Sequence, residues 1–279
     1  MKLEIFNVEH GQCALLTGDS GEHMLIDCGH HASKSWRPSR HLYDLGVGHV
    51  DTLIISNFDE DHASDLPNLR LTQTVGILYK NPTVNQTNIV QIKNGSSPGS
   101  GISELCKMIE SYYRPVQYEP YFSGLKIHTF WNSYSWDMTD SNNLSLVTVL
   151  QWPGFKICFP GDMGTAGWKR LLLRDDARNA LNDVDVLVAP HHGRGRCDEL
   201  FSWTGMQPKI VVISDGSKKY ETQETGDWYR SKVSGVLHRG QWRYVISTRA
   251  DKHVRIDIAP SFPAYKATLS LGSDLALAA

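Results

Sequence analysis

The chain opens as short apolar or alternating stretches punctuated by glycine. Residues 3–8, 14–17 and 24–27 predict three successive strands joined by Gly-containing turns. A run of leucine and β-branched residues over 53–56 lacks polar alternation, which predicts a strand covered on both faces. Residues 76–79 give a weaker strand. Across 103–113 the spacing becomes helical, with Leu105, Met108, Ile109 and Tyr112 on one face and Ser103 as the expected N-cap. Strands are expected again at 125–130, 146–150, 156–159 and 184–189, with a helix near 167–174 between the last two. A strand at 210–214, a helix at 228–236 and strands at 244–248 and 254–258 complete the series. Residues 81–101, rich in Asn, Gln, Ser and Gly, predict an exposed loop. From Ser261 no pattern demands the core, so 261–279 is expected to be a tail on a 1–260 domain. No repeat with a period of 20–50 residues is present. Strands punctuated by helices fit a layered α/β arrangement. The pattern alone does not separate a doubly wound sheet from two sheets flanked by helices.

Composition narrows the partners more than the fold. A chain of 279 residues, 41% hydrophobic and 21% charged, suits one large domain or two small ones. Its formal charge of -2 lacks the footprint of a dedicated nucleic-acid binder. A small anionic substrate, or a nucleic acid held by a local basic patch, stays open. Residues 1–8 lack the basic and apolar regions of a signal peptide, and no apolar run reaches the roughly 18–20 residues that span a bilayer. The five cysteines (Cys13, Cys28, Cys106, Cys158 and Cys197) form no CxxC pair, and reduced, buried thiols are expected. A cytoplasmic protein without a membrane role is the resulting expectation.

Ligand-type residues follow three of the apolar runs. Residues 53–56 lead into Asn57-Phe58-Asp59-Glu60-Asp61-His62. Residues 156–160 lead into Gly161-Asp162, and 186–190 into His191-His192-Gly193. In α/β sheets, ligands bind outside the carboxyl ends of strands, where the loops converge. Taken singly, an Asp after a strand is ordinarily a turn or a cap, and an acidic run is a solvated loop. Three aspartates and three imidazoles delivered together read as a metal cage, suited to Zn²⁺, Fe or Mn²⁺, with the oxygen-heavy set tilting toward harder ions.

The segment from Asn57 to His62 resembles the metallo-β-lactamase motif His-x-His-x-Asp-His, in the His-x-Asp-x-Asp-His form of ComEC-type competence proteins. Asn7-Val8-Glu9-His10-Gly11-Gln12-Cys13, Leu25-Ile26-Asp27-Cys28-Gly29, Asn142-Asn143-Leu144-Ser145-Leu146-Val147, Pro160-Gly161-Asp162 and Pro190-His191-His192-Gly193 match the same branch in order. The resemblance covers roughly residues 1–258. It implies an α/β fold in the form of a four-layer αββα sandwich, two mixed β-sheets flanked by helices. It also implies one or two divalent ions, Zn²⁺ or Mn²⁺. Asp61 and His62 would bind the second metal, Asp162 would bridge, and either His191 or His192 would complete the set. Asn57 and Asp59 would face the first metal, where the family has histidine at the first position and this chain has an amide. The family's third-motif histidine is also missing. His128 lies inside an apolar strand and reads as structural, while Asn142, Asn143 and Ser145 occupy the slot and are expected near substrate. One site thus looks intact and the other weakened, which leaves an oxygen-rich pair of ions, a single ion or an inactive protein.

Other residues add less. His10, His30 and His31 fall on loops beside the expected metal face. Arg194 and Arg196 could hold a phosphate. Trp131, Trp136, Trp152, Trp203, Trp228 and Trp242 are expected mostly in the core or in pocket walls. The function implied is a phosphodiesterase or nuclease acting through a metal-bound hydroxide, with Asp61, Asp162 and His192 at the reacting centre. Arg194 or the second histidine would steady the departing oxygen. The substrate would be a small phosphodiester or a nucleic acid. A degenerate binding subunit of a bacterial multi-gene system, and a hydrolase of carboxyl esters, lactams or thioesters, are the alternatives.

Overall fold

A computed structural model describes residues 1–93, 97–112, 116–216 and 225–272. The strands in chain order are β1 (Lys2–Ile5), β2 (Ala14–Thr17), β3 (His23–Ile26), β4 (His49–Ile54), β5 (Thr74–Tyr79), β6 (Lys126–Phe130), β7 (Val147–Trp152) and β8 (Phe155–Phe159). They continue with β9 (Val186–Val188), β10 (Ile210–Ile213), β11 (Val236–His238), β12 (Gln241–Arg243), β13 (Val245–Ser247), β14 (Val254–Ser261) and β15 (Ala264–Leu271). Among the described residues they build a seven-stranded sheet, β15-β14-β1-β2-β3-β4-β5, a six-stranded sheet, β13-β10-β9-β8-β7-β6, and the small ribbon β11-β12. Both large sheets are mixed. β3, β4 and β5 run parallel in the first, and β8, β9, β10 and β13 run parallel in the second.

Three apolar clusters show the layering. One joins the two sheets face to face, with Leu3, Leu16 and Ile26 from the first against Trp152, Ile157 and Val212 from the second. A second packs the outer face of the first sheet, including Leu15 and Leu53, under Leu69, Leu105 and Met108 of helices Leu66–Thr72 and Ser100–Ser111. The third packs Val149, Leu187 and Val211 under Trp168, Leu181 and Leu200 of helices Thr165–Leu171, Asp175–Leu181 and Asp198–Thr204. The result is a four-layer αββα sandwich, the fold class expected. Strands buried on both faces explain the continuous apolar runs at 53–56, 186–188 and 210–213.

Several elements differ from the sequence expectation. The segment 81–101 is not one loop. It carries helix Gln86–Ile92, started by a capping box in which the Asn85 side chain accepts the Asn88 N–H at 2.9 Å and the Asn88 side chain accepts the Asn85 N–H at 3.1 Å. Amides served as caps there, and only Ile89 is buried, so periodicity gave no signal. The next helix starts at Ser100 after Gly99 rather than at Ser103; the distant Glu60 carboxylate accepts its Gly101 and Ile102 N–H groups at 2.7 and 3.1 Å. The expected helix over 228–236 is the shorter Gly226–Arg230, and its far end turns into β11. The presumed tail from Ser261 instead forms β15, paired with β14 from Ser261↔Ala264 to Val254↔Leu271, while residues 273–279 lie outside the described residues. As an edge strand β15 is only partly buried, which erased the alternation expected of a strand. Trp136, Trp203 and Trp242 are exposed, against the expectation of core or pocket walls. His128 sits in β6 with its Nε2 3.0 Å from Gln151 Oε1. No described helix is long and apolar enough to cross a membrane.

Candidate metal centre

Parallel strands place their carboxyl ends together at one edge of the sandwich, and the chemistry collects there. The first sheet supplies Asp27 after β3 and the run 55–62 after β4, which closes in the short 3₁₀ turn Glu60–His62. The second sheet supplies Asp162 after β8, His192 after β9 and the Ser214 carbonyl after β10. Asp61 and His62 therefore meet Asp162 and His192 across the sandwich.

His62 is buried, and its Nδ1 lies 2.9 Å from Asp27 Oδ2. Asp27 is fully buried and also accepts the Ser56 N–H at 2.7 Å and the Ser56 hydroxyl at 2.6 Å. In the neutral ring, an acceptor-only carboxylate there puts the imidazole proton on Nδ1 and leaves Nε2 as a lone pair. His192 is oriented likewise, with Nδ1 3.1 Å from the Ser214 carbonyl, whose own hydroxyl donates to Gly11 O at 2.8 Å. The Asp162 backbone N–H donates to Ser145 Oγ at 3.1 Å.

The atoms so aimed converge. His62 Nε2 is 3.1 Å from Asp162 Oδ1, and His192 Nε2 is 3.4 Å from the same oxygen and 3.3 Å from Asp61 Oδ2. Yet His62 Nε2, His192 Nε2 and Asp162 Oδ1 are buried with no hydrogen-bond partner. They point at a shared location rather than at one another. Around an ion held tetrahedrally at about 2.0–2.1 Å, neighbouring ligand atoms lie roughly 3.3–3.4 Å apart. A cavity of about 10 Å³, the size of one water or ion, is lined by His62, Asp162, His192, Asp27 and Gln12. The donor set thus fits one divalent cation.

The electrostatics agree. Burial opposes the charge on His62, but Asp162 and Asp27 outweigh it and hold the imidazole well above its usual range. At His192 burial is likewise overcome by Asp162 and Asp61, and its pKa rises to about 9. Burial would raise Asp61, yet His192 and His62 hold it at about 2, and the same two rings keep the buried Asp162 well below the carboxylate range. The carboxylates that favour a proton on these rings would equally favour a cation, which would displace those protons on binding.

Positive φ aims the histidine pair. His191, His192 and Gly193 are all left-handed, at φ 50°, 55° and 74°, a costly run for two residues with side chains. It sends His192 into the cluster, while His191 is not part of the group formed by Asp61, His62 and His192. Burial lowers the His191 pKa, and Arg194 lies close enough to lower it further. Glycine serves the opposite wall. A Cβ on Gly29 would stand 2.3 Å from the Asp61 carbonyl oxygen, and one on Gly11 2.4 Å from it. Only bare backbone lets the β1–β2 loop and the segment after β3 close around Asp61.

The remaining sequence candidates are placed differently. Asn57 is fully buried; its Nδ2 donates to Asn142 Oδ1 and Ser145 Oγ, both at 3.2 Å, and its Oδ1 accepts the Asp59 N–H at 2.9 Å. Asp59 is ion-paired with Lys93 and accepts the Ser141 hydroxyl at 2.9 Å. Asn143, expected near substrate, instead accepts the Gly167 N–H at 2.8 Å and ties down the helix after Asp162. Ser145 is buried as the support for Asp162 and Asn57, so internal bonds occupy both residues. Beside Asp61 opens a cleft of about 450 Å³ lined by Glu9, His10, His30, Ser33, Glu60 and Ser64. Sequence reading gave no role to Asp27, Ser56, Gln12, Ser214 or Lys93. Asp27 and Gln12 had a signal, because both lie in stretches that carry the motif resemblance, and Asp27 also ends a buried strand as the ligands do.

No family model and no curated protein matches the chain. Among solved structures, a Parabacteroides distasonis protein provisionally assigned as a metal-dependent hydrolase is 13% identical over 88% of this chain and 92% of its own, with a TM-score of 0.46. Human tRNase Z, short form, is 12% identical over 85% and 96%, with a TM-score of 0.37. CmlA, a diiron β-hydroxylase from Streptomyces venezuelae, is 11% identical over 82% of this chain and 50% of its own, with a TM-score of 0.45, so the chain spans about half of that protein. Superposition at this level bears no weight on this chain's chemistry, which rests on its own residues.

Proposed function

We propose that this protein is a metal-dependent hydrolase of a small phosphodiester, with a divalent ion held by Asp61, His62, Asp162 and His192. One observation carries the reading: three buried, unpartnered ligand atoms converge at the separations that surround a tetrahedral ion. When bound, such a cation acidifies water toward neutral pH and polarises a scissile ester. The chain supplies the rest. Asp27 and the Ser214 carbonyl hold both imidazoles in the metal-binding tautomer, and Ser145 fixes the strand end that carries Asp162. Substrate would enter by the cleft beside Asp61, where His10 and His30 flank the reacting centre. The ordered motif resemblance supports a phosphodiester. A carboxyl ester or lactam is the second reading, favoured by a lining that, among the described residues, holds Glu9 and Glu60 and neither Lys nor Arg.

The test is turnover of bis-p-nitrophenyl phosphate against a carboxyl ester and a β-lactam, with Mn²⁺ or Zn²⁺ supplied. The expected result is phosphodiester hydrolysis that excess chelator abolishes and Asp162→Ala does not regain with added metal. Hydrolysis that survives both would refute the reading. Cleavage of the carboxyl substrates alone would transfer it to the second.

A further inference from the structure

We infer that this chain holds a single metal ion, because its own side chains close the position a second ion would take. The inference rests on the metal site proposed above and concerns the neighbouring residues Asn57 and Asp59, which the motif resemblance set against a first metal.

The Asn57 amide has a fixed orientation. The Asp59 backbone N–H can only donate, so the atom facing it at 2.9 Å is the amide oxygen. Both protons of the nitrogen are then taken up by Asn142 Oδ1 and Ser145 Oγ. Swinging the oxygen toward an ion would break all three of these bonds around a fully buried amide and leave its partners, the buried Ser145 among them, without their donor or acceptor.

Asp59 is closed by charge. Lys93 pairs with one carboxylate oxygen and the Ser141 hydroxyl donates to the other. A cation entering there would have to displace an ammonium already neutralising that carboxylate. Among the described residues the grouping of histidine, cysteine and carboxylate ligands suited to an ion is Asp61, His62 and His192, with Asp162 beside them, and no second such group occurs. Lys93 is thus a positioning residue that holds Asp59 away from metal duty.

Elemental analysis after saturation with Mn²⁺, and separately with Zn²⁺, counts the ions, and electron paramagnetic resonance of the Mn²⁺ form distinguishes an isolated ion from a coupled pair. One ion per chain and an isolated-ion spectrum are expected for the wild type. Two tight ions, or a coupled spectrum, overturn the inference and leave the site reading standing. No ion at all overturns both. The double variant Asn57→His/Lys93→Ala restores an imidazole and removes the ammonium, and it is expected to raise the count toward two. If that variant keeps the wild-type near-ultraviolet circular dichroism yet still binds one ion, the role given to Asn57 and Lys93 is wrong.

Discussion

A hydrogen-bonded carboxylate behind an imidazole strengthens the hold of that imidazole on a metal. Asp27→Asn keeps the shape but can offer His62 Nδ1 an N–H instead of an acceptor, which disrupts the tautomer. Metal affinity is expected to fall about 10–100-fold, read by competition with a chromophoric chelator; unchanged affinity would mean that Asp27 only fills space. The histidine pair separates as cleanly. His192→Ala is expected to lose the ion, whereas His191→Ala keeps one ion per chain by elemental analysis, and the reverse pattern would exchange their roles. Sequence made Asp61, His62 and Asp162 legible because each follows a buried run. It left the pair undecided, because two left-handed residues in succession set the direction of the rings and nothing in their identity reveals it. Lys93 was illegible for another reason: its partner Asp59 lies 34 positions away in the chain.

Turns and loops carry their own consequences at the scale of the element. Adding a methyl group at Gly29 drives Cβ against two backbone oxygens, of Asp61 at 2.3 Å and of Gln12 at 2.9 Å, neither of which can rotate away. Gly29→Ala is therefore expected to cost about 1–3 kcal/mol in chemical denaturation and to weaken metal binding, while Gly48→Ala, with open space around it, stays near neutral. Equal effects at both positions would dismiss the close approach as a cause. His41 and His253 make a second case. They pack with Phe6 and Trp36 at centroid separations of 5.1–5.8 Å, and His253 Nδ1 accepts the Asn7 N–H at 3.1 Å. Burial lowers both pKa values; Lys2 adds to this at His41, and His41 and Lys34 add to it at His253, while Glu4 pulls the other way on both rings. A depressed histidine binds fewer protons folded than unfolded, so stability is lost as pH falls below the ordinary imidazole value of about 6.5. His253→Asn is expected to lose less stability than the wild type between pH 7.5 and 5.5, a difference in which the other titrating groups cancel. Parallel strands were legible by their unbroken apolar runs, whereas helices of seven residues with one or two buried positions left too few turns for a period to show.

Over the whole molecule, the strand that sequence reading took for a tail closes one side of the first sheet. Leu271 lies 4% exposed in the cluster between the sheets, and Leu271→Ala is expected to cost about 2–3 kcal/mol, measured by urea denaturation. A negligible cost would mean that β15 rests on the sheet without holding it. The ligands, meanwhile, hang from different sheets: Asp61 and His62 from the first, Asp162 and His192 from the second. An ion bound by all four is a rivet between two plates that are otherwise joined at that end by the apolar layer behind it and by hydrogen bonds such as Asn57 to Ser145 and Ser214 to Gly11. Binding that favours the folded chain adds about 2.7 kcal/mol when the free ion stands 100-fold above its dissociation constant. The gain would be spent where the plates part first, so hydrogen exchange should slow together at the carboxyl ends of β4 and β9, on opposite sides of the sandwich. Strength at that seam then depends on metal supply, and a cell short of the ion would hold a protein that is easier to pull apart as well as idle.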